Sequence, residues 1–118
     1  MVEILRREGN FVAVKLSGKL TDADYRQFVP VIFAATEKGK LHLLVQMENF
    51  QGWEPQALWD DIQLDAQLGS KIKRLAFIGD KEWEAWMAKI CRPFTRAMIQ
   101  YFDANDAQDA WTWVQDGL

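Results

Sequence analysis

The sequence predicts an α/β fold with a mainly parallel five-stranded sheet, an antiparallel N-terminal edge strand and four packed helices. Three observations predict it. Short apolar runs alternate with segments of helical period, which is typical of βαβ units. The first two runs lie too close together for a parallel crossover. The chain has 118 residues, the length of one domain, so we expect a single domain spanning residues 1–118 in the order β-β-α-β-α-β-α-β-α.

The two N-terminal strands are predicted from Val2 to Arg6 and from Phe11 to Leu16. Gly9 and Asn10 between them are typical turn residues. The spacing therefore predicts an antiparallel hairpin at one edge of the sheet.

The first helix is predicted to begin after Thr21, a good N-cap, with Asp24 three residues later as in a capping box. Pro30 lies inside this segment and predicts a kink, because it removes one backbone hydrogen bond. Gly39 supplies a stop. The helix is retained because one apolar face runs through it at the spacing i, i+3, i+4, i+7, formed by Tyr25, Phe28, Val29 and Ile32.

The rest of the chain continues the alternation. A strand from Leu41 to Met47, apolar on both faces, is followed by a loop from Glu48 to Trp53 and a helix that starts at Pro55 and ends before Gly69. The remaining predicted elements are a strand from Ile72 to Ile78, a helix capped by Asp80 and ended by Pro93, a strand from Ala97 to Phe102, and a helix capped by Asp103. The order of the strands in the sheet does not follow from these patterns.

Composition excludes several classes of protein. The net charge of −3 argues against nucleic-acid binding, and no apolar run reaches the ~20 residues needed to span a bilayer. The first residues carry charges where a signal peptide would be apolar, and one cysteine cannot form an internal disulfide. We therefore expect a cytoplasmic protein without a transmembrane segment.

The side chains needed for most catalytic and metal sites are scarce. The chain has one cysteine, Cys91, and one histidine, His42, too few for a structural zinc site, and it carries no P-loop and no nucleophile elbow. We interpret His42 as a core or rim histidine, Cys91 as an inert thiol, and the pair Asp60 and Asp61 as part of a solvated helix face. We predict no catalytic residue, no metal and no cofactor, and hence no enzyme.

The predicted loop before the second helix is the candidate ligand site. Ligands of α/β sheets bind beyond the carboxyl ends of strands, where loop amides can also hold an anion. The candidate residues there are Asn49, Gln51, Gly52 and Trp53, with Asp80 after the next strand. A loop without a ligand, in which Trp53 only covers the core, is the structural alternative.

Several segments resemble the SpoIIAA-like family, a STAS-type group similar to anti-sigma-factor antagonists. They are Asp22 to Pro30, Asn49 to Pro55, Ile78 to Trp86, Pro93 to Asp103 and Ala110 to Val114. The resemblance implies a sheet with helices packed around it and a regulatory role. It also implies a phosphorylated serine at the start of the helix after the third strand, but residues 48–69 contain neither Ser nor Thr, so that switch does not carry over.

Two hypotheses for function remain open. The first is a non-enzymatic regulatory or protein-interaction module, including self-association as a homodimer, with Trp59 and Trp113 on the interaction surface. An acidic stretch at residues 54–65 and a basic one at 71–96 also favour a charged partner. The alternative is a carrier or sensor of a small apolar or amphiphilic ligand, because members of this subgroup look similar to lipid-carrier domains of the CRAL-TRIO type.

Overall fold

A computed structural model describes residues 1–68, 70–79 and 98–118 of the chain. The helix predicted between Asp80 and Pro93, with its tryptophans and Cys91, lies outside these residues. The five strands found in these residues form one sheet in the order β1-β2-β3-β4-β5, so each lies beside its neighbour in sequence. Their bounds are Val2–Glu8, Phe11–Leu20, Leu41–Trp53, Ile72–Gly79 and Met98–Asp103.

The predicted pairing is confirmed. Strand β1 is antiparallel to β2, and β2, β3, β4 and β5 run parallel to one another. The register of β1 on β2 shifts between Ile4 and Arg6. Such an irregularity, together with charged side chains, is a common means of blunting an exposed sheet edge.

Three α-helices lie in the described part of the chain: α1 Asp22–Thr36, α2 Pro55–Leu68 and α3 Ala107–Gln115, the last preceded by a 3-10 turn at Ala104–Asp106. Helix α1 begins with the expected capping box. The Asp24 amide donates to the Thr21 hydroxyl at 3.3 Å, and the Thr21 amide donates to the Asp24 carboxylate at 2.9 Å. Pro30 lies within the helix on its exposed side, where the lost hydrogen bond is open to water.

The prediction of a loop from Glu48 to Trp53 is wrong, because these residues continue β3. They pair with Ser17–Leu20 through a distorted register in which Glu48, Phe50, Gly52 and Trp53 have partners on β2. Asn49 and Gln51 have no place in that register. Asn49 has φ 51° and Gly52 has φ 100°, so each bulge uses a residue that tolerates left-handed backbone. The bulges break the alternation of side chains that a sequence pattern detects.

The sheet separates two hydrophobic layers. The larger lies between the sheet and helices α1 and α2, and it includes Phe28, Ile32, Leu43, Leu68 and Leu75. The smaller lies under α3 on the opposite face and includes Phe11, Leu44, Ile78, Ala110 and Val114. None of the helices in the described ranges is long and apolar enough to cross a membrane.

Candidate functional site

A cavity of about 70 Å³ lies inside the larger layer, between the sheet and helices α1 and α2. Strands β2, β3 and β4 supply its floor with hydrophobic side chains. Apart from Tyr25, Trp53 and Asp61, every residue that lines it is hydrophobic; the others are Val14, Leu16, Phe28, Leu43, Val45, Met47, Leu64, Leu68, Ile72, Leu75 and Phe77. A space of this kind favours an apolar occupant over water, since water needs polar partners.

The three polar side chains are connected by hydrogen bonds that run across the layer. The indole Nε1 of Trp53 donates to the Tyr25 hydroxyl at 2.8 Å, and this hydroxyl donates to Oδ1 of Asp61 at 2.7 Å. Each residue comes from a different element: β3, α1 and α2. Tyr25 packs on Phe28 with ring centroids 4.9 Å apart, and Trp53 packs edge-on against Phe50 at 5.0 Å.

A second, open space lies between α1 and α2 on the outside of this trio. The cleft measures about 450 Å³. Four of its lining residues are apolar, and the others carry two carboxylates, one guanidinium, two amides and one phenol. The lining residues are Asp22, Tyr25, Arg26, Val29, Pro30, Phe33, Asp60, Gln63, Leu64 and Gln67.

The two carboxylates in the cleft face each other across the helices. A hydrogen bond with Asp60 and partial burial raise the pKa of Asp22 above its usual value, although Arg26 lowers it. Arg26 bridges Asp22 at 2.7 Å, and Gln56 donates to Oδ1 of Asp60 at 3.1 Å. Oδ2 of Asp60 is buried and has no donor within the described residues, and among the two forms of Asp22 only the protonated one can donate to it.

Known proteins share the sequence pattern and the fold of this chain. The family model described as SpoIIAA-like matches residues 11–115. The chain belongs to the SpoIIAA-like family. A crystal structure of an uncharacterized protein of the DUF3478 family with a SpoIIAA-like fold, from Shewanella loihica PV-4, superposes with a TM-score of 0.79 at 30% identity and covers 97% of this chain and 92% of that one. None of the curated proteins matches significantly.

Of the predicted ligand-binding residues of this SpoIIAA-like chain, the structure brings only Trp53 to the cavity. Asn49 and Gln51 are exposed at the bulges of β3, and Gly52 lies half-buried between Gln51 and Trp53. Asp80 lies outside the described residues. The predicted cluster at the strand end is therefore not assembled by the part of the chain that the structure describes.

The two residues predicted for an interaction surface lie in different environments. Trp59 on α2 is 55% exposed. Trp113 on α3 is half-buried, with its ring 5.8 Å from that of Phe102 and the Arg74 guanidinium 4.9 Å from its centroid. Trp59 is thus open to a partner, whereas Trp113 is engaged within the SpoIIAA-like fold itself.

The sequence interpretation missed Tyr25 and Asp61 as polar groups of the site. The sequence pattern places Tyr25 on the apolar face of α1 and Asp61 on a solvated face of α2. The structure shows both Asp60 and Asp61 half-buried. A signal existed: Asp61 falls on the same helical face as the buried residues Ala57, Leu64 and Leu68, at the spacing i, i+4, i+7, i+11.

His42 is a core histidine, as expected, with 1% of its surface exposed. Within residues 1–68, 70–79 and 98–118, no three His, Cys, Asp or Glu side chains form a group that could hold a metal ion.

Proposed function

We propose that this SpoIIAA-like chain is a non-enzymatic regulatory module that senses or carries a small amphiphile, bound between the sheet and helices α1 and α2. The observation that carries the proposal is the cavity of about 70 Å³, which is hydrophobic except for the linked side chains of Trp53, Tyr25 and Asp61. Ligand sites commonly combine an apolar lining with a few convergent polar groups. The hydrophobic cavity favours the apolar chain of an amphiphile, and the cleft between α1 and α2 offers polar groups to its head.

The charge of the cleft favours one kind of head group. Asp22 and Asp60 carry two negative charges against one positive charge on Arg26 when both carboxyls are ionised. A cationic head is therefore attracted and an anionic head repelled. One unit charge at about 4 Å in water contributes about 1 kcal/mol, which corresponds to roughly a fivefold difference in affinity.

Native mass spectrometry of freshly purified protein and isothermal titration calorimetry test the proposal. We expect a co-purified small molecule in the mass spectrum. In calorimetry below micelle-forming concentrations, decyltrimethylammonium should bind at least about fivefold more tightly than decanoate, which has a similar chain and the opposite charge. An empty protein that binds neither amphiphile would contradict the proposal.

A cavity-filling variant locates the binding. Val45→Phe places a larger side chain in the cavity, and Tyr101→Phe is the control because Tyr101 lines neither the cavity nor the cleft. We expect Val45→Phe to weaken the binding of decyltrimethylammonium and Tyr101→Phe to leave it unchanged. A folded Val45→Phe variant with unchanged affinity would show that the amphiphile binds elsewhere.

A second candidate function is a protein-interaction module, including self-association. The exposed indole of Trp59 on α2 favours it. Tryptophan is enriched among residues that dominate protein interfaces. Light scattering over a range of concentrations tests self-association: a mass that rises with concentration in the wild type and not in Trp59→Ser supports it, whereas a constant monomeric mass in both excludes it.

A further inference from the structure

The cavity and the cleft are separated by two side chains. Tyr25 of α1 and Leu64 of α2 line both spaces, so each has one side toward the interior and one toward the open cleft. Tyr25 is only 3% exposed, although the cleft beside it is open to solvent. The two spaces are therefore neighbours divided by the thickness of one layer of side chains.

Neither space by itself is a complete site for an amphiphile. The cavity, at about 70 Å³, is too small to enclose a whole amphiphile. Ligand pockets usually measure about 300–1,000 Å³. The cleft, at about 450 Å³, falls in that range but is open and carries the charged groups. Joined together, the two spaces offer an enclosed apolar end and a charged outer end.

Resting on the proposed function, we propose that the cleft and the cavity are two halves of one binding site for an amphiphile with a linear apolar chain, and that Tyr25 is the gate between them. The apolar chain passes Tyr25 into the cavity. The head group stays in the cleft near Asp22 and Asp60.

The gate is held closed by bonds to two other elements. The Tyr25 hydroxyl accepts from Trp53 at the end of β3 and donates to Asp61 on α2, at 2.8 and 2.7 Å. Rotation of the Tyr25 side chain breaks these two bonds and removes one of the two side chains that line both spaces. Such a rotation has room to move into, because Tyr25 borders free space in both the cavity and the cleft.

The first test measures the binding of decyltrimethylammonium by calorimetry. Tyr25→Phe keeps the ring and removes both described bonds, so the open state becomes more populated and the apparent affinity rises by about tenfold, as expected when two net hydrogen bonds no longer favour the closed state. Asp61→Asn weakens one bond and raises the affinity less. Tyr101→Phe is the matched control, since it removes a phenol hydrogen bond, to the Gly79 carbonyl at 2.5 Å, away from both spaces.

The second test needs no ligand. The Trp53 indole N–H, bonded to Tyr25, exchanges with solvent when the gate opens. We expect NMR hydrogen exchange of this proton in the wild type to be at least about tenfold faster than global unfolding allows, with global unfolding measured by urea titration. Tyr25→Phe should accelerate it further, and Tyr101→Phe should not.

The outcomes separate the gate from the proposed function. If the wild type binds the amphiphile and Tyr25→Phe binds it equally well, or if Tyr25→Phe and Tyr101→Phe change the affinity alike, the gate is overturned while the function stands. If indole exchange in the wild type occurs only with global unfolding, the gate is overturned without reference to any ligand. If exchange is fast but no amphiphile binds to any variant, the gate motion stands and both the proposed function and the joined site fail.

Discussion

Nδ1 of His42 lies 2.6 Å from the carbonyl oxygen of Val114, which joins the start of β3 to the last turn of α3. Since a carbonyl only accepts, Nδ1 carries the proton in this bond. The carbonyls at the end of a helix lack donors within the helix. His42 therefore satisfies one of them inside the smaller hydrophobic layer and fixes where the C-terminal helix sits on the sheet.

Replacing His42 by leucine tests this role. His42→Leu keeps a side chain of similar bulk and leaves the Val114 carbonyl without its buried donor, so we expect the free energy of unfolding to fall by about 1–3 kcal/mol. His42→Asn is the matched variant, because its amide nitrogen can stand near the position of Nδ1. Urea titration should show a smaller loss for His42→Asn. Equal losses would indicate that packing, and not the hydrogen bond, determines the effect.

Arg74 on β4 supports the same helix end. Its Nη1 donates to the Trp113 carbonyl at 2.7 Å, its Nη2 lies 3.2 Å from Asp116, and the guanidinium covers the Trp113 ring. Arg74→Lys keeps the charge but loses the planar group that makes these contacts together. We expect it to lower the free energy of unfolding by about 1–2 kcal/mol.

Hydrogen exchange of the α3 amides locates the effect of Arg74→Lys, and exchange should become faster in the last turn of that helix first. Lys73→Gln is the control, since Lys73 is exposed next to Arg74 in the chain. A change of similar size in Lys73→Gln, or an unchanged exchange rate in α3 of Arg74→Lys, would contradict the assignment.

Local sequence signals predict most strands and helices of the described residues. Where a prediction differs from the structure, the difference has a physical cause. The Thr21 capping box and the apolar face of α1 outweigh the interruption by Pro30, because the proline lies where water can replace the missing bond. The sequence predicts a loop where β3 ends, since the bulges at Asn49 and Gln51 change which residues share a face and so remove the strand period. A period-based pattern detects regular pleats and not the residues that interrupt them.

The candidate site was less accessible to sequence reasoning than the fold. The sequence singles out Trp53, although the structure places it at the end of β3 and not in a loop after it. The two hydrogen bonds of the trio join residues far apart in the chain, Trp53 to Tyr25 across 28 residues and Tyr25 to Asp61 across 36. Such distant contacts depend on strand order, which the sequence patterns leave open. A tyrosine on an apolar helical face has the sequence pattern of a core residue. Its polar role becomes apparent only when the structure shows the Asp61 carboxylate beside its hydroxyl.

Asp60→Asn tests the carboxyl pair in the cleft. The pKa of Asp22 is raised, so the stability contributed by its proton is present below the unfolded pKa of 3.8 and is lost as the pH rises through the folded pKa. Where that proton is lost, the two facing carboxylates repel. The amide that Asp60→Asn introduces can donate to Asp22 where the carboxylate repels it, so we expect the free energy of unfolding at pH 7 to increase.

The increase in the free energy of unfolding caused by Asp60→Asn should shrink as the pH falls to about 3. Below its raised pKa, Asp22 of the wild type binds a proton and no longer repels Asp60. Urea titrations at pH 7 and pH 3 measure the difference. Glu3→Gln is the control, because it makes the same change of charge at an exposed position on β1. A stabilisation by Glu3→Gln of equal size would assign the effect to net charge instead of to the pair.

Thr21→Ala tests the capping box at the start of α1, the helix that carries Tyr25. The change removes the hydroxyl that accepts from the Asp24 amide and bonds the Asp24 carboxylate at 3.1 Å. We expect a loss of about 1 kcal/mol in the free energy of unfolding. Thr21→Ser keeps the hydroxyl and should retain most of the stability.

The loss in Thr21→Ala should also depend on pH, with a sign opposite to that of the carboxyl pair. Burial opposes ionisation of Asp24, but hydrogen bonds from Thr21 and the charge of the N-terminus lower its pKa below 3.8. The stability from this carboxylate is therefore present above pH 3.8 and lost as the pH falls through the folded pKa. Urea titrations of wild type and Thr21→Ala should converge in part toward pH 2, because the protonated Asp24 no longer makes a charge-assisted bond with the hydroxyl. A deficit that is the same at pH 7 and pH 2 would show that the cap acts only through the backbone amide of Asp24.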